Sequence, residues 1–167
     1  LRVSRVILAF FFCVILALGG LIFQIIFKNN LITPYTLGIA SGTTLFTAAS
    51  IVFFPMVYMP ISSVFGSLIT ILILYFISKQ INKSTIAVST NSILLIGIAL
   101  SYFYSSALMV IFYMSNLQEN YSIVRFTLGS LDTVGFTNSF IIMLVSLVFY
   151  RIIHLNKAKI KLLLISN

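Results

Sequence analysis

A chain of 167 residues that is 60% hydrophobic and 7% charged, with a mean hydropathy of +1.18, carries more apolar surface than one small core can hide from water. That excludes an ordinary water-soluble domain and assigns the chain to a bilayer. Ten Lys and Arg stand against only Glu119 and Asp132, so the net charge of +8 reflects missing acids as much as abundant bases and gives little support to nucleic-acid binding.

The first apolar stretch, Val6 to Phe27, is longer than the hydrophobic region of a secretory signal and ends without a small-residue cleavage site. It is expected to stay in the membrane as a span. The lone Cys13 inside it rules out an internal disulfide or thiolate cluster and reads as core. Gly19 and Gly20 predict close approach by a neighbouring backbone, and Gln24 places an amide near the inner end. "KNNLITP" then reads as a short polar turn closed by Pro34, and Gly38 with Gly42 form a GxxxG that predicts tight packing.

The charge-free window from Asn29 to Ser78 is fifty residues long. As one helix it would extend about 75 Å, against a bilayer core of about 30 Å. It must hold two spans, and Pro55 with Pro60 mark the turn between them. The expected architecture is all-α, a polytopic transmembrane bundle with five spans near 6–27, 37–54, 61–78, 93–114 and 136–153. Residues 155–167 would begin a cytoplasmic segment.

Five crossings put Lys28, Lys79, Lys83, Arg151, Lys157, Lys159 and Lys161 in one acid-free compartment, which is cytoplasmic by the positive-inside rule. Arg2, Arg5, Glu119, Arg125 and Asp132 fall outside. Charge counting alone also permits a merged second and third span of opposite parity; length and the two prolines decide against it. Arg2 and Arg5 then need a reason to be outside, either snorkelling to outer phosphates or docking an acidic partner.

In the fourth span Ser101 and Ser105 share a helix face, which Gly97 extends by a turn. Such a stripe either packs helices or lines a passage. Serine can return its hydroxyl to the preceding turn and needs no water to do so. Enzyme signatures are missing: His154 is the only histidine, Glu119 and Asp132 lie in a polar loop without another acid, and no phosphate-cradling G-x-x-x-x-G-K-[ST] occurs. No ionisable residue lies well inside a span, which argues against a carrier built on intramembrane carboxylates. A passive helical conduit or a structural membrane protein remains, with no cofactor.

The opening "LRVSRVILAFFFCVILALGGLIFQIIFKNNLITPYTLGIASG" is similar to the pattern L-R-x-P-R, an apolar helix with A-L-[AS]-G-[AG]-x-x-Q, and then F-[RE]-N-P-L-x-x-P-x-x-L-G-[VI]-x-[SN]-G. "SILLIGIALS" and "FTLGSLD" resemble two further blocks in the same order. Together they resemble the FecCD-type permeases, the membrane-spanning subunits of ABC importers for iron–siderophore complexes, haem and cobalamin. Ser4, Asn30 and Phe126 depart from the usual proline, proline and tryptophan. Members of that family are about twice as long, with ten spans, so the chain looks like the second to sixth helices of such a permease.

The resemblance implies a bacterial inner-membrane subunit that performs no chemistry itself. Its partners would be a second permease subunit, cytoplasmic ATP-binding subunits, an extracytoplasmic substrate-binding protein and membrane lipid, with no nucleic acid. Arg2 and Arg5 match the outer arginines that pair with acidic lobes of the binding protein; their i, i+3 spacing puts both on one helix face. Asn29, Leu31, Thr90 and Asn91 match inner-gate positions. Gly97, Ser101 and Ser105 fall on the helix that lines the translocation pathway. The rival reading is a stand-alone structural or accessory membrane protein without transport activity. A secondary carrier would require mid-membrane ionisable residues that these spans lack.

Overall fold

Long runs of apolar residues free of breakers build helices throughout, and proline, glycine and short polar clusters set where they stop. The computed structural model describes residues 2–84, 90–129 and 137–155. Its elements are α1 (Arg2–Phe27), α2 (Ile39–Phe53), α3 (Met59–Ser84), α4 (Thr90–Met114), α5 (Leu117–Leu128) and α6 (Thr137–Leu155). The stretches Val3–Phe27, Met59–Gln80 and Ser92–Met114 are long and apolar enough to cross a membrane, while α2 is apolar but shorter. The chain forms two compact units, residues 1–30 with 130–167, and residues 31–129.

In the first unit α1 packs against α6. Its buried residues, among those described, are Ser4, Leu8 and Ser146. The 26 residues of α1 rise about 39 Å, enough to traverse a bilayer core. The helix closes in a Schellman arrangement: the Lys28 N–H donates to Ile25 O and the Asn29 N–H to Gln24 O, with Lys28 at φ 50° taking the left-handed position usually given to glycine. No atom comes within 4 Å of where a Cβ would stand on Gly19 or Gly20. The neighbour those glycines predict is not supplied by the described residues.

The second unit is organised around α2, which touches α3, α4 and α5. Residues 54–58 interrupt the helix between α2 and α3, so the Asn29–Ser78 window is not one continuous rod. Gly42 meets Thr70 while Phe46 meets Gly66, a pairing in opposite chain directions that makes α2 and α3 an antiparallel hairpin. The contact face of α3 is Ser62, Gly66, Thr70 and Leu74, all buried and four residues apart. Small residues at that spacing let two backbones approach closely where lipid offers no hydrophobic drive for association. Their hydroxyls are satisfied within their own helices: Thr47 donates to Thr43 O, Ser62 to Met59 O and Thr70 to Gly66 O.

Helix α4 runs parallel to α2, with Gly38 against Gly97, Gly42 against Tyr104, and Ala48 in one cluster with Ile111. A Cβ on Gly42 would overlap Thr70 Oγ1 and lie 3.0 Å from Tyr104 Cε2, so this glycine is where α2, α3 and α4 converge. The Tyr104 hydroxyl is buried there without a hydrogen-bond partner among the described residues.

The polar loop expected around Glu119 is instead the start of a helix. Asn116 caps α5, Glu119 Oε2 accepts from the Asn116 N–H at 2.8 Å, and the two form a reciprocal capping box. Ile123 anchors α5 by packing into the cluster of Ala48 and Ile111. The helix ends at Gly129, whose φ of 76° and ψ of 157° form a backbone conformation open essentially to glycine alone.

Candidate functional site

Proline at position 34 and the threonines on either side of it convert the stretch after α1 into a hydrogen-bonded turn. The Thr33 N–H donates to Thr36 Oγ1 at 2.8 Å, and the Thr36 N–H to Thr33 Oγ1 at 3.2 Å. Thr36 Oγ1 lies 3.4 Å from Leu31 O, and the Ile39 N–H reaches Pro34 O at 3.1 Å. Non-helical backbone at membrane depth is tolerated only where protein or a wet cavity covers it. Here Ile32, Leu37 and Gly38 are buried.

What covers the turn is α4. A Cβ on Gly97 would stand 2.6 Å from Thr36 O and 2.7 Å from Leu37 Cα, so the helix is pressed directly on the backbone of the turn. The fit is mutual: a Cβ on Gly38, itself at φ 75°, would lie 3.0 Å from Gly97 O. One turn along α4, the Ser101 hydroxyl faces two acceptors, Gly97 O at 3.0 Å and Tyr35 O at 3.2 Å. A hydroxyl carries one proton, so Gly97 O and Tyr35 O share it, and the turn receives part of a bond that also serves the helix.

The structure therefore brings the turn that begins at Leu31 onto Gly97 and Ser101. Leu31 itself is 72% exposed. Gly97 is buried against main chain, so of the two roles open to the small stripe it fills the packing one at this contact. Ser105 is exposed and donates to Ser101 O at 2.8 Å, leaving its face of α4 uncovered by the described residues. Asn29 is half-buried at the end of α1. Thr90 and Asn91 open α4, Arg2 opens α1, and their side chains lie outside the described residues. Arg5 is exposed in the first turn of α1. Lys157, Lys159, Lys161 and Asp132 also fall outside the described residues, as does the expected segment 155–167 beyond Leu155.

Two parts of this arrangement escape reading by spacing. The seat of Gly97 on residues 36 and 37 joins positions far apart in the chain, and so does the 66-residue separation of Ser101 from Tyr35. The paired threonines flanking Pro34 were a usable local signal, since side-chain oxygens two or three residues apart often close turns. Among the described residues no group of three or more His, Cys, Asp or Glu could hold a metal.

Three helices long and apolar enough to cross a membrane, with the shorter apolar α2 packed against two of them, define a helical membrane-type protein. The chain belongs to the FecCD transport family, whose profile matches residues 1–167. It is 30% identical over 141 residues to a Helicobacter pylori protein named as the permease of an iron chelatin transport system, covering 84% of this chain and 41% of that one. It is 28% identical over 134 residues to the molybdate import system permease protein of Haemophilus influenzae, covering 79% and 39%. The chain thus spans about two fifths of the length of the curated relatives it matches. Its fold superposes with a TM-score of 0.76 on a solved inward-facing conformation of a metal-chelate type ABC transporter, at 24% identity and over 97% of this chain and 51% of that one.

Proposed function

We propose that the chain forms the second to sixth helices of an importer permease that passes a metal chelate, such as an iron–siderophore complex, haem or cobalamin, through the bacterial inner membrane. ATP would be hydrolysed on separate cytoplasmic subunits, and the passage would lie between this permease and a second one, identical or related. The single observation that carries the reading is the family match along the whole of residues 1–167. The turn held by Gly97 and Ser101 gives that reading a mechanism.

In this mechanism Asn29 and Leu31 belong to an inner gate, and Thr90 and Asn91 to a second one at the entry of α4. Gly97 and Ser101 fasten the first gate to α4, so that rotation of α4 moves the gate with it. Ser105 faces the pathway, where a mildly polar and weakly binding surface suits a bulky cargo that must leave again. ATP-driven approach of the cytoplasmic subunits shifts the balance between inward-open and outward-open states. Arg2 and Arg5 form the outer docking point for acidic groups on the cargo-loaded binding protein.

The molybdate permease among the relatives supports a second cargo class, a small oxyanion. Uptake by the full-length permease, reconstituted with its ATP-binding subunits and binding protein, separates the two. ATP-dependent accumulation of a ferric chelate or cobalamin supports the first reading, and accumulation of molybdate alone the second. No accumulation of any of them would leave the accessory-protein reading standing.

A further inference from the structure

Between the α2–α3 turn and the start of α5 lies an open cavity of about 230 Å³ whose wall is Ile51, Pro55, Val57 and Met59, with Gln118, Glu119 and Ser122 on the α5 side. Sites that enclose a drug-sized ligand measure roughly 300–1,000 Å³, so this one suits a single side chain and not a chelated metal. Glu119 is the only acidic side chain among the described residues. Its Oε2 is engaged by the Asn116 N–H, while no described donor reaches Oε1. The capping box fixes the carboxylate in place, so an incoming cation meets a pre-oriented acceptor.

An apolar wall beside one carboxylate complements a particular chemistry: a hydrocarbon stem ending in a cation. We propose that the cavity receives a lysine or arginine side chain of the extracytoplasmic binding protein, its methylenes against Pro55 and Val57 and its charged head on Glu119 Oε1. The proposal rests on the importer reading and on the outward placement of the α2–α3 turn. A lipid amine fits less well, because its phosphate would enter beside a carboxylate and no cation lines the cavity to receive it. A contact of this sign, added to the arginine contacts of α1, would fix the orientation of the docked partner, because each site rejects the charge that the other accepts.

The test uses the full-length permease with its ATP-binding subunits in nanodiscs and measures affinity for the cognate binding protein. Glu119→Gln removes the charge but keeps a residue that can cap α5. Affinity should fall about tenfold or more, as for loss of a charge-assisted hydrogen bond. Ser122→Leu, which fills the cavity and leaves the carboxylate, should weaken binding similarly. Glu119→Lys should bind poorly and recover when one basic residue of the binding protein is changed to Glu.

Wild-type affinity in both Glu119→Gln and Ser122→Leu overturns the proposal while leaving the importer reading intact. So does a Glu119→Gln effect seen in phosphatidylethanolamine nanodiscs and absent in phosphatidylglycerol ones, which would make a lipid amine the occupant. If the wild-type permease binds no such protein, the importer reading fails, and this proposal with it.

Discussion

Replacing Gly97 by Ala puts one methyl group where the backbone of the 31–38 turn now lies. The added carbon would stand 2.7 Å from Leu37 Cα and 2.6 Å from Thr36 O. Ordinary carbon–carbon contacts sit at about 3.5–4.0 Å, so the turn or the helix must move by close to 1 Å. No rotamer change relieves this, because the atoms met are main chain. Overpacking typically costs about 1–3 kcal/mol, offset by about 1 kcal/mol from replacing glycine with alanine in a helix, leaving a net destabilisation of up to about 2 kcal/mol. At the upper end that is about a 30-fold fall in the folded-to-unfolded ratio.

Denaturant titration of the full-length permease in micelles, followed by circular dichroism, measures the change. Ser106→Ala serves as control, since Ser106 is exposed and bonds only to Tyr102 O, and it should stay within about 0.5 kcal/mol of wild type. Gly97→Leu should lose more than Gly97→Ala. If Gly97→Ala and Gly97→Leu both unfold at the wild-type midpoint, α4 does not press on residues 36 and 37, and the fastening of the gate turn is refuted.

Ser101→Ala should cost about 0.5–1.5 kcal/mol by removing the bond to Tyr35 O, and should make a cysteine at Leu31 react faster with thiol reagents; unchanged reactivity would contradict the tie. Tyr104→Phe removes a buried hydroxyl that has no partner among the described residues, so stability should hold or rise by up to about 1–3 kcal/mol, and a clear loss would reveal a bond not seen in this arrangement. Gly129→Ala should destabilise by about 1–3 kcal/mol although a Cβ there meets no atom of the described residues within 4 Å, because the backbone conformation itself is strained for alanine; a neutral result would mean that the end of α5 relaxes freely. Changing both Arg2 and Arg5 to Glu should lower uptake while leaving membrane insertion intact, and unchanged uptake would remove their docking role.

The break between α2 and α3 was legible because fifty charge-free residues cannot cross a bilayer once and because proline removes a helix donor at that point. The antiparallel sense of the hairpin follows from two crossings joined by a turn, but the pairing of Gly42 with Thr70 and of Phe46 with Gly66 was not legible, although Ser62, Gly66 and Thr70 are visible as small residues four apart. Helix α5 escaped because a polar, twelve-residue stretch gives a weak apolar pattern; its signal was Asn116 followed three residues later by Glu119. Gly97 and Ser101 were recognisable as a small stripe, but spacing could not say whether they face a passage or a neighbour. In the structure Gly97 meets the backbone of a distant turn, a contact that spacing alone does not reveal. The docking and gate roles of Arg2, Arg5, Asn29, Leu31, Thr90 and Asn91 depend on surfaces that other subunits would contribute, and so remain matters for experiment.

The returned hydroxyls of α2 and α3 have a mechanical consequence. The α2–α3 interface has its threonine hydroxyls satisfied within each helix, so its hold is close packing at Gly42 and Gly66, and displacing one helix along the other would strand neither of these donors. The Ser101 hydroxyl adds to its own-helix acceptor, Gly97 O, a second one on the turn, Tyr35 O, so shearing α4 past the turn gives up that share of the bond. One shared proton thus couples α4 to the backbone of the turn, whereas α2 and α3 are joined by shape alone.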